Sequence, residues 1–226
     1  MIAVTNTAKG AQMMNPIRRV MGAGLTLCMA ASLSGCVSLG AEPPESLLTL
    51  MPTNLAPVGM QAGSGGEDAD GERGGGAIAV LTPEVPAKLD VRRVPVTVSD
   101  TEIAYLQEAV WIEKPARLFR RLLGETLRSR VGAGDGVAPL VIDSDDTPLR
   151  ATTFLRGTLI EMGYDARTSS VVVRYDAVRS DREGVATTRR FEARESGVIA
   201  DPRLVGGALN RAANTVAAEV VDWMIE

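Results

Sequence analysis

The chain of 226 residues predicts an α+β domain: a mostly antiparallel sheet with two amphipathic helices packed on one face, behind a removable secretion signal. Three observations predict it. Two segments, opening at Pro115 and Pro202, repeat apolar residues at three-to-four spacing. Three strand-like stretches, Thr152 to Tyr164, Ser169 to Arg179 and Val185 to Ala193, follow one another through short turns. The chain also begins with the charge and apolar layout of a secretory leader.

In that leader, Arg18 and Arg19 are followed by an apolar or small run from Val20 to Ser34, which Leu33-Ser34-Gly35-Cys36 closes. A positive region, a short apolar core and a small-residue cleavage site direct export and removal. A retained anchor helix is the competing reading, but a run of about 15 residues falls short of the ~20 that span a bilayer. Translation can start at Met1, Met13 or Met14, since the first 12 residues add nothing to the signal.

Leu33-Ser34-Gly35-Cys36 resembles a bacterial lipobox. The resemblance implies cleavage between Gly35 and Cys36, then diacylglyceryl and N-acyl lipid on Cys36 as the first mature residue. Val37, rather than aspartate, follows the cysteine, which implies sorting to the outer membrane of a Gram-negative cell, on its periplasmic face. Cysteine usage agrees: the only other one, Cys28, lies inside the leader, so the mature chain cannot form an internal disulfide. The predicted organisation is a signal over 1–35, a lipidated tether over 36–45, and one domain over 46–226.

Without the leader, 21 basic residues face 28 acidic ones, a net charge of −7. That balance argues against nucleic acid, whose binding rests on neutralising phosphates, and against a broad polybasic membrane surface. The lipid, rather than charge, would hold the chain to a bilayer.

Ser46-Leu47-Leu48-Thr49-Leu50 reads as a short strand. Residues 59–76 are glycine-rich and acidic with almost no apolar content, so they read as a flexible insert. Ligation of a metal by Glu67, Asp68, Asp70 and Glu72 is the alternative there, but charges in glycine-rich segments are usually solvated. Ala77 to Leu81, Val94 to Val98 and Glu102 to Gln107 are rich in β-branched or apolar residues and read as strands. Pro115 suits the first turn of a helix, and Leu118, Phe119, Leu122, Leu123 and Leu127 form its buried stripe. Gly132, Gly134 and Gly136 stop it.

In Ser169 to Arg179, Val171, Val173, Tyr175 and Ala177 alternate with Val172, Arg174 and Asp176, which predicts one buried and one wet face. Arg189, Arg190, Glu192 and Arg194 make at least one face of the next strand wet. The last helix has Asp201 as cap and Pro202 at its first position. Two unbroken rows, from Leu204 to Met224 and from Val205 to Ile225, make one broad apolar stripe. Packing on the domain's own sheet is expected, with burial against a partner as the alternative.

Catalytic chemistry is sparse. The sequence has no histidine, which removes Ser-His-Asp and Cys-His arrangements and the usual zinc sites. After export the only lysines are Lys88 and Lys114, each beside a proline-marked boundary where exposure is expected, so a buried Ser-Lys pair is not expected. Gly132-Ala133-Gly134-Asp135-Gly136 follows a helix instead of opening one and cannot cradle phosphates. Asp143, Asp145 and Asp146 lack the closing glutamate of a calcium loop. The chain reads as a non-enzyme, with no metal and no cofactor beyond the lipid on Cys36.

From Val80 to Arg130 the chain resembles the ABC-type transport auxiliary lipoprotein family. The likeness is carried by Val85-Pro86-Ala87-Lys88-Leu89-Asp90, the strand Val94 to Val98, Glu102-Ile103-Ala104-Tyr105, Trp111-Ile112-Glu113-Lys114-Pro115 and the early Leu47-Leu48-Thr49-Leu50. It implies the outer-membrane arm of a lipid-trafficking system, with an ABC permease and ATPase in the inner membrane and an MCE-domain substrate-binding protein bridging the periplasm. It also implies assembly of copies of the chain into a homo-oligomeric ring. Trp223, beside the last stripe, and Trp111 are candidate partner contacts, although a tryptophan before a buried-face helix commonly belongs to the core. Two rival functions stand beside this one: a structural envelope lipoprotein that binds peptidoglycan or an outer-membrane complex, and a hydrolase working with carboxylates alone.

Overall fold

A computed structural model describes residues 46–63, 76–133, 137–144 and 151–226. Cys36, Gly35, the leader, the tether 36–45, the middle of the acidic insert and Asp145–Asp146 lie outside these residues. The strands are β1 (Ala62–Gly63), β2 (Ile78–Val80), β3 (Arg93–Thr97), β4 (Ile103–Val110), β5 (Ala138–Pro139), β6 (Val141–Ile142), β7 (Thr153–Asp165), β8 (Ser170–Asp181) and β9 (Ala186–Ser196). Helices α1 (Pro115–Val131) and α2 (Pro202–Ile225) complete the fold.

The two predicted helices and the strands predicted from Ala77 onward form, but the sheet is mixed rather than mostly antiparallel. β7 lies at its centre. Along one edge it pairs antiparallel with β8, and β8 pairs likewise with β9. Its other edge takes β2 near its start and β3 at its end, both parallel, and β2 also pairs parallel with β6. Connection length explains the mixture. Four-residue turns reverse direction between β7, β8 and β9, whereas β2 and β3 reach β7 only after the chain has crossed back through α1. Such crossovers yield parallel pairs.

The alternation read for β8 puts Val171, Val173, Tyr175 and Ala177 in the core, all fully buried. On the other face Arg174 and Asp176 are partly exposed, but Val172 is also buried, at 4% exposure, where it lines a small cavity with Arg174 and Arg194. Of β9 only Phe191 is buried.

Both helices bury their apolar faces in the same core as the sheet. Phe119 of α1 meets Tyr175 of β8 edge-on, with ring centroids 5.2 Å apart. In α2 the stripe is buried from Val205 to Met224, and only its outermost members, Leu204 and Ile225, are exposed. Its main neighbours are β8, α1 and β9, so the stripe is core and not a docking face. Asp201 caps the helix by accepting hydrogen bonds from the Arg203 and Leu204 amides at 2.9 and 3.0 Å, satisfying two donors the helix itself leaves open. Leu89, in a 3₁₀ turn over Ala87–Leu89, and Trp111 are both fully buried, so two of the motif segments serve the core.

The acidic insert has structured edges. Ala62 and Gly63 pair parallel with Ala138 and Pro139, and the Met60 thioether sits against Gly132 at the end of α1.

Candidate functional surface

The run expected as a strand at Ser46 to Leu50 touches the sheet at one point. Leu48 bridges Trp111: its amide donates to the Val110 carbonyl at 2.8 Å, and its carbonyl accepts from the Ile112 amide at 2.8 Å. From Leu47 to Val58 the chain runs as a strap, which beyond Leu50 leaves the sheet over the outer side of the helices. Pro52, which has no N–H, fits that departure.

Side chains of both helices hold the strap. The Met51 amide donates to Asn210 Oδ1 at 2.7 Å and the Thr53 amide to Asn214 Oδ1 at 2.8 Å. Asn214 Nδ2 returns a bond to the Met51 carbonyl at 2.9 Å, and the Ala56 amide donates to Glu125 Oε1 at 2.8 Å. Asn214 therefore acts like one residue of a paired strand, an accepting oxygen and a donating nitrogen on one amide. Leu48 packs so near α2 that a Cβ on Gly206 would stand 2.6 Å from its Cδ2, so glycine makes that approach possible. Read only as polar residues off the stripe, Asn210 and Asn214 carried one signal of this role: both are poor helix formers in mid-helix, spaced by four.

Between strap and helices lies a groove of about 580 Å³, lined by Thr53, Asn54, Ser129, Arg130, Asn214 and Thr215 among others. Arg130 is ion-paired with Asp222, and Arg211 with Glu195 at 2.7 Å. The strap turns Leu47, Met51, Leu55 and Val58 outward, all exposed.

The far face of the sheet is charged. Arg190 holds Asp176 with two bonds of 2.6 Å, and Arg174 holds Glu192 at 2.6 Å. Arg194 donates to Ser170 Oγ at 2.9 Å and lies 3.7 Å from Glu192. Near the β7–β8 turn Arg167 bonds Asp165 at 3.1 Å and also reaches Asp100. Hydrogen bonds from Arg167, Arg190 and Arg174 hold the carboxyls of Asp165, Asp176 and Glu192, respectively, below their ordinary range. These are carboxylates kept ionised, the reverse of the raised carboxylic acid that glycoside hydrolysis needs. Among the described residues no three acidic or cysteine side chains converge to hold a metal, and no helix is long and apolar enough to cross a membrane.

The two tryptophans part company. Trp111 has no exposed surface and lies in the core, the commoner of the two roles expected for it, and its backbone bridges Leu48. Among the described residues its Nε1 has no hydrogen-bond partner, nor has the Tyr175 hydroxyl, whose pKa burial pushes up. Trp223 is partly buried at the edge of the core, tilted against Phe191 with centroids 5.8 Å apart, and its carbonyl accepts from Arg179 at 3.0 Å. The Arg189 guanidinium caps the other partner of that pair, 5.2 Å from the Phe191 ring centre.

Comparison with known proteins gives three findings. Residues 60–221 match the family described as the ABC-type transport auxiliary lipoprotein component. A search of curated proteins finds no match. Among solved structures, a DUF330-family protein from Xanthomonas campestris aligns with a TM-score of 0.60 at 14% identity, over 80% of this chain and 95% of its own. A second crystal structure, of an uncharacterized protein, aligns with a TM-score of 0.56 at 15% identity, over 66% and 92%. At these identities the two structures share the fold with this chain.

Proposed function

Because the chain belongs to the ABC-type transport auxiliary lipoprotein family, we propose that it is the outer-membrane arm of an MCE-associated lipid-transport system. In this reading a lipid on Cys36 holds it to the periplasmic face of the outer membrane. The folded domain docks the MCE-domain protein that bridges from the inner-membrane permease and ATPase, with copies of the chain forming a ring around it. The chain performs no chemistry.

The observation that carries this reading is the family match over residues 60–221, preceded in the sequence by the lipobox-like Leu33-Ser34-Gly35-Cys36. The ion-paired carboxylates are consistent with a binding rather than a hydrolytic role. Trp223, with the Phe191–Arg189 contacts beside it, is the aromatic group nearest the surface among the candidate contacts, and aromatic and arginine side chains are enriched at interfaces.

The test is recovery of partners from membranes. The wild-type chain, extracted in mild detergent, should bring down an MCE-domain protein, and Cys36→Ala should move the folded domain from the membrane to the soluble periplasmic fraction. Peptidoglycan fragments in place of the MCE-domain protein would favour the envelope-structural role. An unmodified Cys36 in the intact mass of the membrane-extracted chain would overturn the anchor.

A further inference from the structure

The mature chain is acidic, yet arginines stand among the carboxylates on the outer side of its helix layer. Arg121 and Arg130 of α1 and Arg211 of α2 line the pockets beside the strap, with side chains 58, 50 and 65% exposed. Among the described residues each has one carboxylate partner: Glu113, Asp222 and Glu195, respectively. A guanidinium carries five N–H donors and one carboxylate engages at most two at good geometry, so each keeps donors turned to solvent. Exposed ion pairs of this kind contribute little and exchange readily.

Beside these cations the strap presents Leu47, Met51, Leu55 and Val58 to water. The strap is also the part of the domain nearest in sequence to Cys36. Eleven peptide links separate Cys36 from Leu47, and fully extended they reach no further than about 40 Å. Exposed apolar side chains interleaved with arginines, beside a groove lined by hydroxyls and amides, suit the boundary between lipid headgroups and acyl chains.

We propose that this face, the strap with Arg121, Arg130 and Arg211, rests on the phospholipid surface of the membrane that holds the anchor. Leu47, Met51, Leu55 and Val58 enter the headgroup layer, and the free guanidinium donors take lipid phosphate oxygens. The far face of the sheet is thereby left open toward the periplasm for a protein partner. This inference rests on lipidation of Cys36.

The test uses the full lipidated chain in vesicles of phosphatidylethanolamine and phosphatidylglycerol. With the leader gone and Cys36 acylated, a cysteine introduced at Met51 or Leu55 is the sole free thiol. An environment-sensitive fluorophore there should shift to the blue and be quenched by lipids spin-labelled near the headgroup. The same label at Thr188→Cys, exposed on the far face of the sheet, should show neither. Replacing Arg121, Arg130 and Arg211 together by glutamine should bring quenching at Leu55→Cys down toward the level of that control. Equal quenching at the strap and at Thr188 overturns the proposal. So does a blue shift at the strap without lipid quenching, which would assign the row to a second copy or a protein partner. Quenching that survives loss of the three arginines overturns their part. A chain that fails to float with the vesicles refutes the anchor, and this inference falls with it.

Discussion

Val216→Asp is the sharpest test of how the last helix is packed. Val216 is fully buried in the core that α2 shares with α1 and the sheet. Losing the valine forfeits about 1.5–3 kcal/mol of apolar burial. The new carboxyl must also be neutral to remain there. Keeping an acid of ordinary pKa near 4 protonated at pH 7 costs about 4 kcal/mol, at roughly 1.4 kcal/mol per pH unit. Together these exceed about 5 kcal/mol, the lower end of the stability of a typical domain at about 5–15 kcal/mol. The substitution should therefore unfold the chain at neutral pH or take a large share of its stability.

The pH dependence follows from linkage. The introduced acid has its pKa raised by folding, so its penalty is greatest at high pH and shrinks by roughly 1.4 kcal/mol per unit as pH falls from 7 toward 5. Val216→Thr, of nearly the same shape, should lose less stability and show no such trend. Urea unfolding followed by circular dichroism at pH 7 and 5 measures both. If Val216→Asp unfolds within about 1 kcal/mol of Val216→Thr at pH 7, a difference that a single apolar contact could supply, α2 does not bury this residue against its own sheet.

Three further outcomes are expected. Asn214→Ala should free the strap: the Thr53 amide and the Met51 carbonyl lose their partners, two bonds worth about 0.5–1.5 kcal/mol each, so amide exchange at Thr53 should quicken while the core amides keep their protection; unchanged exchange would show that the strap is held otherwise. Trp111→Ala should cost about 3–5 kcal/mol as a fully buried aromatic, whereas Trp223→Ala should cost less and act mainly on recovery of the MCE-domain protein; equal losses of stability would put Trp223 in the core. With no histidine in the chain, thermal stability should be flat from about pH 5 to 8. Asp165, Asp176 and Glu192 have lowered pKa values, so their contribution is complete above the unfolded carboxylate range near pH 4 and disappears as pH falls through the folded values; a midpoint that drops between pH 7 and 6 would contradict this.

The legible parts were those whose physics is local. The stripe of α1, the cap at Asp201, the alternation through Val171 to Ala177 and the hairpin around Asp165 each depend on neighbours within a few positions, and the spacing of apolar residues reports them directly. Harder to read was Leu47 to Leu50, whose apolar run suggested a strand. In the structure Leu48 makes one bridge, after which the chain is drawn onto α2 by Asn210 and Asn214, about 160 positions away. Val172 was assigned to water by alternation but is closed over by residues of two other strands. A pattern of two cannot register cover that arrives from elsewhere in the chain.

By itself the sequence determined most of the element types and the absence of imidazole chemistry, because these follow from composition and short-range spacing. Only the tertiary structure decided that the sheet is mixed: strand direction is set by where β7 returns beside β2 and β3 after the chain has crossed through α1, and periodicity is the same for a parallel and an antiparallel neighbour. It also decided between the two tryptophans. An indole is apolar enough for a core and amphipathic enough for an interface, so its sequence position does not settle the choice. Trp111 is enclosed in the core shared by the helices and the sheet, and Trp223 stays partly open where β9 ends the sheet beside it.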